Sequence, residues 1–172
     1  KPTTFGSYES MVKQTIEPYF RNKLITLKDL EARHIQQFYS EKLRTVKPNS
    51  VIHYHAVIHQ ALKYAMKTDL VPQNVAMKVD RPKKNDFQPV FLDAAELQHL
   101  FEVVKGTKLE LPVLVAAFYG LRRGEVLGLK WDAIDFERGT LTIKRTVTSV
   151  NVGGKTQIIE QESAKTKSSM RT

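Results

Sequence analysis

The stretch from 119 to 135 constrains the fold more than any other part of this 172-residue chain. An apolar run over 111–119, interrupted by a single proline, leads into it, and Gly120 ends the run. Two arginines follow, and a second amphipathic segment then begins at Glu125. This pattern predicts two helices joined at a tight junction, with the first arginine, Arg122, held between two apolar segments.

An arginine held in this way can present a rigid guanidinium fork to a phosphate. Glu125 comes three residues after Arg122, on the same face of a helix, so its carboxylate can orient the arginine. Two other interpretations stay open from the pattern alone. The arginine pair can be a solvated pair at a helix start, and Glu125 can act as a helix cap.

The same stretch resembles the first-arginine box of the tyrosine recombinases, the phage-type integrases. That box reads Gly-x-Arg-x-x-Glu followed by Leu-x-Leu-x-Trp-x-Asp-Ile. Here it falls on Gly120, Arg122, Glu125, Leu127, Leu129, Trp131 and Ile134. One departure is Ala133, which occupies a position where Asp is common. The resemblance implies that Arg122 contacts the scissile phosphate and stabilises the phosphorane-like transition state.

Charge indicates the kind of partner. The formal net charge is +9, of which residues 1–86 carry +7, and this favours a polyanion such as nucleic acid. Cysteine is absent, so the chain has no disulfides and no Cys-based metal site. No run is long enough to span a bilayer and no signal-peptide pattern opens the chain, so we expect a cytoplasmic protein without a membrane partner.

The first half predicts four short helices with a basic surface. The first covers 7–20 with Ser7 as N-cap and ends or kinks at Pro18, and the second opens at Thr26 or at 28–29. The third covers about 50–68, capped by Asn49 or Ser50, and a short fourth lies at 71–76. The apolar positions assigned to the second and third helices are Leu30, Ile35, Phe38, Tyr39, Leu43, Val51, Tyr54, Ile58, Ala61, Leu62 and Ala65.

Three segments of this half resemble the core-binding domain of tyrosine recombinases, namely 34–39, 54–62 and 70–76. The predicted contacts to DNA backbone and bases are Lys47, Asn49, Ser50, His53, Lys83, Lys84 and Lys167. His55 and His59 have the i, i+4 spacing of a metal pair, but no nearby carboxylate or cysteine completes a site, so we expect no metal.

A basic, proline-containing stretch at 81–90 predicts a linker between domains 1–80 and 91–172. In the second domain, Asp93 and Glu96 form a capping-box pattern for a helix that continues to Gly106. Alternation over 140–148 predicts a strand, Gly153-Gly154 a turn, and 155–162 the returning strand. A second turn at 163–169 and a third strand from Met170 complete the expected sheet.

The expected fold is mainly α with a small antiparallel β-sheet. A four-helix core-binding bundle precedes part of an α+β tyrosine-recombinase catalytic domain. The resemblance places an essential lysine in the turn between the second and third strands, where it acts as general acid. Lys165 fits that position best, and Lys167 is the rival. The family's His-x-x-Arg box and tyrosine nucleophile are expected after Thr172, so we expect an inactive, DNA-binding fragment of a recombinase.

The resemblance implies breakage and rejoining of double-stranded DNA at attachment-type sites through a 3′-phosphotyrosyl intermediate. It implies no cofactor, a tetramer on DNA, and accessory DNA-bending or directionality factors. Two other functions compete with a phage or mobile-element integrase. One is a non-catalytic DNA-binding regulator, and the other is a structural scaffold with a basic surface, whose DNA affinity would not fall steeply with salt.

Overall fold

A computed structural model of the chain describes residues 2–162. The chain separates between Gln88 and Pro89 into two units, here called unit one and unit two, and this division lies within the stretch expected to be a linker. Unit one is helical, and unit two combines helices with two small antiparallel sheets. The mainly α class with a small β component, predicted from the sequence, is therefore confirmed.

Unit one begins with one long helical stretch instead of a helix that starts at Ser7. Its elements are α1 (Pro2–Met11), a π-helical turn (Val12–Ile16), α2 (Glu17–Asn22), α3 (Ala32–Lys42), α4 (Pro48–Lys67) and a 3-10 turn (Val75–Lys78). The predicted cap at Ser7 is wrong because Ser7 is in the middle of α1, where its hydroxyl donates to the carbonyl of Thr3 at 3.0 Å.

The π-helical turn explains why Pro18 does not end the helix. A proline inside an α-helix removes one hydrogen bond and clashes with the carbonyl four residues earlier. The backbone is wound more widely just before it, with the N–H of Glu17 donating to the carbonyl of Val12. Pro18 then lies in the first turn of α2, where a proline is tolerated.

The starts of α3 and α4 also differ from the predictions. Helix α3 begins at Ala32, after Glu31, whose backbone N–H donates to Nδ1 of His34 at 3.1 Å in a capping box. Helix α4 begins at Pro48, with Lys47 at its N-cap, so Asn49 and Ser50 lie in the first turn and do not cap it. A proline at the first helical position has its φ already set for the helix, so α4 begins earlier in the chain than predicted.

The core of unit one lies between α3, α4 and the 3-10 turn. Its buried members are Ile35, Phe38, Tyr39, Val51, Ile58, Leu62 and Ala76. Two of the predicted apolar positions are wrong, since Ala61 and Leu43 are exposed. The predicted short helix at 71–76 is a 3-10 turn that starts later, at Val75, and the side chain of Asn74 caps it by accepting from the N–H of Ala76.

Unit two contains α5 (Ala94–Val104), α6 (Glu110–Tyr119), α7 (Arg123–Leu127) and a 3-10 turn (Trp131–Ala133). The predicted capping box of α5 is confirmed: Asp93 accepts from the N–H of Glu96 and Glu96 accepts from the N–H of Asp93, both at 2.9 Å. Helix α5 ends at Val104, just before Gly106, whose φ of +73° favours glycine.

The strand predicted over 140–148 is interrupted. Strand β1 (Ile134–Asp135) pairs with β2 (Thr140–Leu141), and β3 (Thr146–Val152) pairs with β4 (Lys155–Gln161), both antiparallel. Residues 142–145 belong to neither sheet. The predicted Gly153-Gly154 turn is confirmed, and both glycines have positive φ, as a two-residue hairpin turn requires. The turn and third strand predicted after Glu162 lie outside the described residues.

Among residues 2–162, no helix combines the length and the apolar character needed to cross a membrane.

Candidate functional site

Arg122 lies at the junction between α6 and α7. Helix α6 ends at Gly120, which adopts a left-handed conformation with φ +60° and ψ +34°, so the chain changes direction without a steric penalty. Arg122 is extended, with φ −72° and ψ +150°, and occupies the N-cap position of α7. The junction predicted from the apolar pattern is therefore present, and the arginine stands at a helix start.

The carboxylate of Glu125 binds Arg122 twice. One oxygen accepts from the backbone N–H of Arg122 at 2.8 Å, and the other accepts from its Nη1 at 2.9 Å. Glu125 therefore both orients the guanidinium and caps the helix, so its predicted orienting role and the alternative capping role are both present. The side chain of Glu125 is 3% exposed and that of Arg122 is 71% exposed. The fork is thus anchored from the protein side and open to solvent on the other.

Helix α7 packs directly on the backbone that leads into β3. A Cβ atom on Gly128 would lie 2.7 Å from the carbonyl oxygen of Arg145, and one on Gly124 would lie 3.0 Å from that of Val147. A side chain at 128 would therefore force the backbone apart, whereas one at 124 would require only a small shift of its neighbour. The contact sets the distance between the helix that begins at Arg122 and the hairpin formed by β3 and β4.

Arg145 ties the end of the arginine box to the same hairpin. Its Nη1 donates to both carboxylate oxygens of Asp132, at 2.7 and 2.9 Å, and its Nε lies 3.6 Å from Glu160 on β4. Lys130 also pairs with Glu160. The hydrogen bond from Arg145 is the main cause that lowers the pKa of Asp132. Nothing in the local sequence pattern indicated this network, since its members lie 13 to 30 residues apart.

The position that departs from the family's box has a structural role. Ala133 is buried and its carbonyl accepts from the N–H of Thr142 at 2.8 Å. This bond adjoins the pairing of Ile134 with Leu141. The small side chain at 133 therefore lies in the core of unit two, where a carboxylate would need a buried partner.

Chemically, the Arg122 fork can receive an anion. A guanidinium has five N–H donors, and among the described residues one of them bonds to Glu125. Phosphate oxygens match the remaining donors in a planar, charge-assisted arrangement. Because Glu125 is buried and doubly bonded, Arg122 can meet such a ligand with little reorganisation.

The structure brings four of the predicted DNA-contact residues together at the start of α4. Lys47 is the N-cap, Asn49 and Ser50 belong to the first turn, and His53 follows one turn later. Lys47 and His53 are exposed, whereas Asn49 and Ser50 are half-buried. The Oδ1 atom of Asn49 is buried without a hydrogen-bond partner.

Lys83 and Lys84 are exposed, in irregular backbone between the 3-10 turn and α5. They are assigned to unit one by the division at Gln88, as are the residues at the start of α4. Lys165 and Lys167 lie outside the described residues.

His55 is buried beside Tyr39, which the apolar pattern did not indicate. The hydroxyl of Tyr39 lies 2.8 Å from Nδ1 of His55, and the ring of His59 stacks on that of His55 with centroids 5.8 Å apart. Burial lowers the pKa of His55, and the charges of Arg81 and His59 add to this. Within residues 2–162, no group of three or more His, Asp or Glu side chains could hold a metal ion.

Comparison with known proteins gives a consistent result. The sequence model of the phage integrase N-terminal SAM-like domain matches residues 1–43. A XerC-like tyrosine recombinase from Caldanaerobacter subterraneus subsp. tengcongensis is 28% identical over 188 residues, which cover 100% of this chain and 46% of that protein. Prophage integrase IntR from Escherichia coli K12 is 29% identical over 115 residues, covering 67% of this chain and 27% of IntR.

Among solved structures, the Tn1549 transposon integrase in complex with transposon right-end DNA matches with a TM-score of 0.65. The identity is 18%, and the match covers 95% of this chain and 58% of that one, so it shows a shared fold. The chain spans less than half the length of the two curated relatives. The arginine box and the helical unit that precedes it agree with these similarities, and together they support a tyrosine recombinase family.

Proposed function

We propose that this chain serves a site-specific recombinase of a phage or mobile element, in which unit one binds duplex DNA and Arg122 binds the scissile phosphate. The observation that carries the proposal is the fork at Arg122, which the buried Glu125 anchors by two hydrogen bonds while most of the arginine side chain stays exposed. A preorganised cation of this kind stabilises charge that develops on a phosphate in the transition state.

The proposed reaction breaks and rejoins DNA without an external energy source. A tyrosine hydroxyl attacks a backbone phosphate, forms a 3′-phosphotyrosyl bond and releases a 5′ hydroxyl. The energy of the broken phosphodiester is retained in the new ester, so neither ATP nor a metal ion is needed. The departing 5′ oxygen takes a proton from a general acid. We assign that role to Lys165, with Lys167 as the alternative.

The proposed DNA surface centres on α4. This helix has 20 residues, about 30 Å in length, and contains no Asp or Glu. Its exposed positions at His53, Ala56, Gln60, Lys63 and Lys67 fall within a sector of about 80°, given 100° per residue. Asn49 falls in the same sector in the first turn of the helix, and Lys47 and Ser50 lie beside it at the N-terminal end. Phosphates would neutralise the lysines, and the small and polar side chains would allow close approach to the duplex.

The solved structure of the Tn1549 integrase contains transposon right-end DNA, which supports duplex DNA as the partner in this proposal. On the family resemblance of the sequence, we further propose attachment-type duplex sites as the substrate. The same resemblance suggests a tetramer formed on two such sites, with accessory DNA-bending or directionality factors as further partners. The 172 residues alone are proposed to bind DNA without cleaving it.

The test replaces Arg122 in the natural gene product that carries these residues. With Arg122→Ala, strand cleavage is expected to fall by about 10² to 10³ or more, as for loss of one transition-state donor, while DNA affinity changes little. Arg122→Lys keeps the charge without the fork and should recover only part of the rate.

A DNA-binding regulator predicts a different outcome: no strand cleavage by the wild type, and function that survives Arg122→Ala. Normal cleavage by that variant would refute the assignment of Arg122.

A further inference from the structure

A basic groove lies beside the proposed DNA stripe in unit one. It has a volume of about 560 Å³, and the side chains of α4, the 3-10 turn and Arg81 form its walls. Its polar lining consists of His55, His59, Gln60 and Arg81, and no carboxylate lines it. The groove therefore offers hydrogen-bond donors and positive charge without a competing anion.

The backbone that carries Arg81 is fixed to the unit. Gln36 on α3 binds both backbone groups of the preceding residue: its Oε1 accepts from the N–H of Asp80 at 3.0 Å, and its Nε2 donates to the carbonyl of Asp80 at 3.4 Å. This pair of bonds holds the chain against α3 where Arg81 begins. Arg81 is thus part of the wall of unit one, although it opens the stretch expected to be a linker.

The guanidinium of Arg81 has no ion-pair partner among the described residues. Its charge is nonetheless felt inside the groove: it adds to burial in lowering the pKa of His55, and it opposes the rise that burial causes in the pKa of the Tyr39 hydroxyl. Positive potential in the groove is therefore not cancelled locally. An anion that enters the groove is attracted by Arg81, and because Arg81 is exposed this attraction is weakened by salt.

The groove is continuous with the stripe on α4. At 100° per residue, the groove-lining positions 52, 55 and 59 adjoin the exposed positions of the stripe, and Ala56 and Gln60 belong to both. A ligand that covers the stripe therefore passes the mouth of the groove. A duplex presents a phosphate to such a surface at regular intervals along each strand.

We propose that this groove is a subsite for one phosphate of the DNA backbone, bound by Arg81 together with the side chains of His59 and Gln60. The inference rests on the proposed DNA-binding function of unit one. It adds a contact that neither the arginine box nor the start of α4 provides. Its role is to fix the register of unit one on the duplex, since phosphate contacts position a protein without reading sequence.

The test compares Arg81→Gln with Lys28→Gln, which removes the same charge from an exposed site of unit one outside this groove. Binding of the 172-residue chain to a 30-base-pair duplex is measured over a series of salt concentrations. Arg81→Gln should weaken binding about tenfold and reduce the salt slope by about one. Lys28→Gln should leave the slope nearly unchanged. Equal effects of the two variants would overturn the groove assignment.

A second variant tests the groove without a change of charge, and a second probe distinguishes DNA phosphate from free phosphate. Gln60→Leu changes an exposed side chain without altering charge, and it should weaken DNA binding if the groove holds a phosphate. Titration with inorganic phosphate, followed by the imidazole resonances of His55 and His59, separates the sources. One outcome is that phosphate moves these resonances in the wild type and leaves them unmoved in Arg81→Gln. If Arg81→Gln then still binds DNA normally, the groove is a site for free phosphate and the DNA subsite is overturned.

Failure of the proposed function gives another signature. If the wild-type chain does not bind duplex DNA at any salt concentration, DNA binding by unit one is wrong. If the wild type binds and Arg81→Gln binds equally well, only the groove inference is wrong.

Discussion

Two individual residues, Glu125 and His55, show how single buried polar groups determine the chemistry around them. Glu125 converts an exposed arginine into an oriented one, because its carboxylate is buried and bonded both to the backbone and to the guanidinium. His55 is held in its neutral form, because burial and nearby Arg81 disfavour a second positive charge. Both residues act on a neighbour: one on Arg122, the other on Tyr39.

The lowered pKa of His55 predicts acid sensitivity of unit one. The unfolded state binds a proton at the ordinary histidine pKa near 6.5, whereas the folded state binds it only at lower pH, so stability falls as pH drops below about 6.5. Protonation makes both ring nitrogens donors, including Nδ1, which lies 2.8 Å from the hydroxyl oxygen of Tyr39. Between pH 7.5 and 5, the melting temperature should fall more steeply in the wild type than in His55→Gln.

The exposed His53 provides the matched control, since His53→Gln should retain the wild-type pH dependence. If His55→Gln and the wild type lose stability in parallel, His55 is not the group that titrates.

At the scale of elements, the close contact between α7 and the approach to β3 sets the geometry of the arginine box. The two glycines on one side of α7 lie against the carbonyls of Arg145 and Val147. Arg145 in turn binds Asp132 and approaches Glu160 through its side chain. The helix that begins at Arg122 and the β3–β4 hairpin therefore share one contact surface.

This contact predicts a graded response to alanine. In Gly128→Ala the new Cβ would lie 2.7 Å from a backbone oxygen, so the strand or the helix must shift, at a cost of about 1–3 kcal/mol in the free energy of unfolding. In Gly124→Ala the new Cβ would lie 3.0 Å from its nearest atom, so the loss in the free energy of unfolding should be smaller. Urea denaturation of the two variants measures the difference, and a Gly128→Ala variant as stable as the wild type would contradict the contact.

Features that depend on neighbouring residues could be predicted from the sequence, and features that depend on distant partners could not. The capping box of Asp93 and Glu96 and the Gly153-Gly154 turn are local, and both were correct. The start at Ser7 was wrong because its hydroxyl bonds back to the carbonyl of Thr3 within α1. The helix continues past Pro18 because of the π-helical turn, which no simple period reveals.

Burial and ion pairing follow the same rule. The i, i+4 pattern assigned Ala61 to the core, although Ala61 is exposed. The same pattern left His55 out of the core, because the hydroxyl of Tyr39 that makes a buried histidine acceptable lies 16 residues away. The pairing of Arg145 with Asp132 was missed for the same reason. The position of Arg122 at a helix junction was predicted because apolar runs flank it on both sides, whereas its second bond to Glu125 required three-dimensional geometry.

At the scale of the whole molecule, the surface of unit two is unusually apolar. Large side chains exposed by more than 70% are Val90, Phe91, Phe118, Trp131, Phe136 and Ile158, and two of them, Trp131 and Phe136, stack on each other. Exposed apolar side chains of this size, when they form a contiguous patch, mark sites that bind another protein surface or ligand. Separately from this surface, the proposed function predicts that the 172 residues studied alone bind DNA without cleaving it.

The proposed function thus predicts DNA binding without a covalent product. The isolated chain, incubated with a nicked duplex that traps phosphotyrosyl intermediates, should shift the DNA in a native gel but give no denaturant-resistant band. The proposal assigns the nucleophile to a position outside these 172 residues, so none of the six tyrosines is expected to form the covalent link. A resistant band would contradict the prediction, and Tyr119→Phe, which changes the tyrosine nearest to Arg122 in sequence, would then identify the attacking residue.

The anchoring of Asp80 by Gln36 has a consequence for how the two units act together. Asp93 is likewise fixed, as the cap of α5, so the connection has defined ends and 13 Cα–Cα steps between them, with a maximum reach of about 45 Å. Once one unit holds a duplex, the other is confined to a small volume around it at a high effective concentration. Weak contacts in each unit can then combine into a long residence time, and lengthening the connection would shorten that time without changing a single contact.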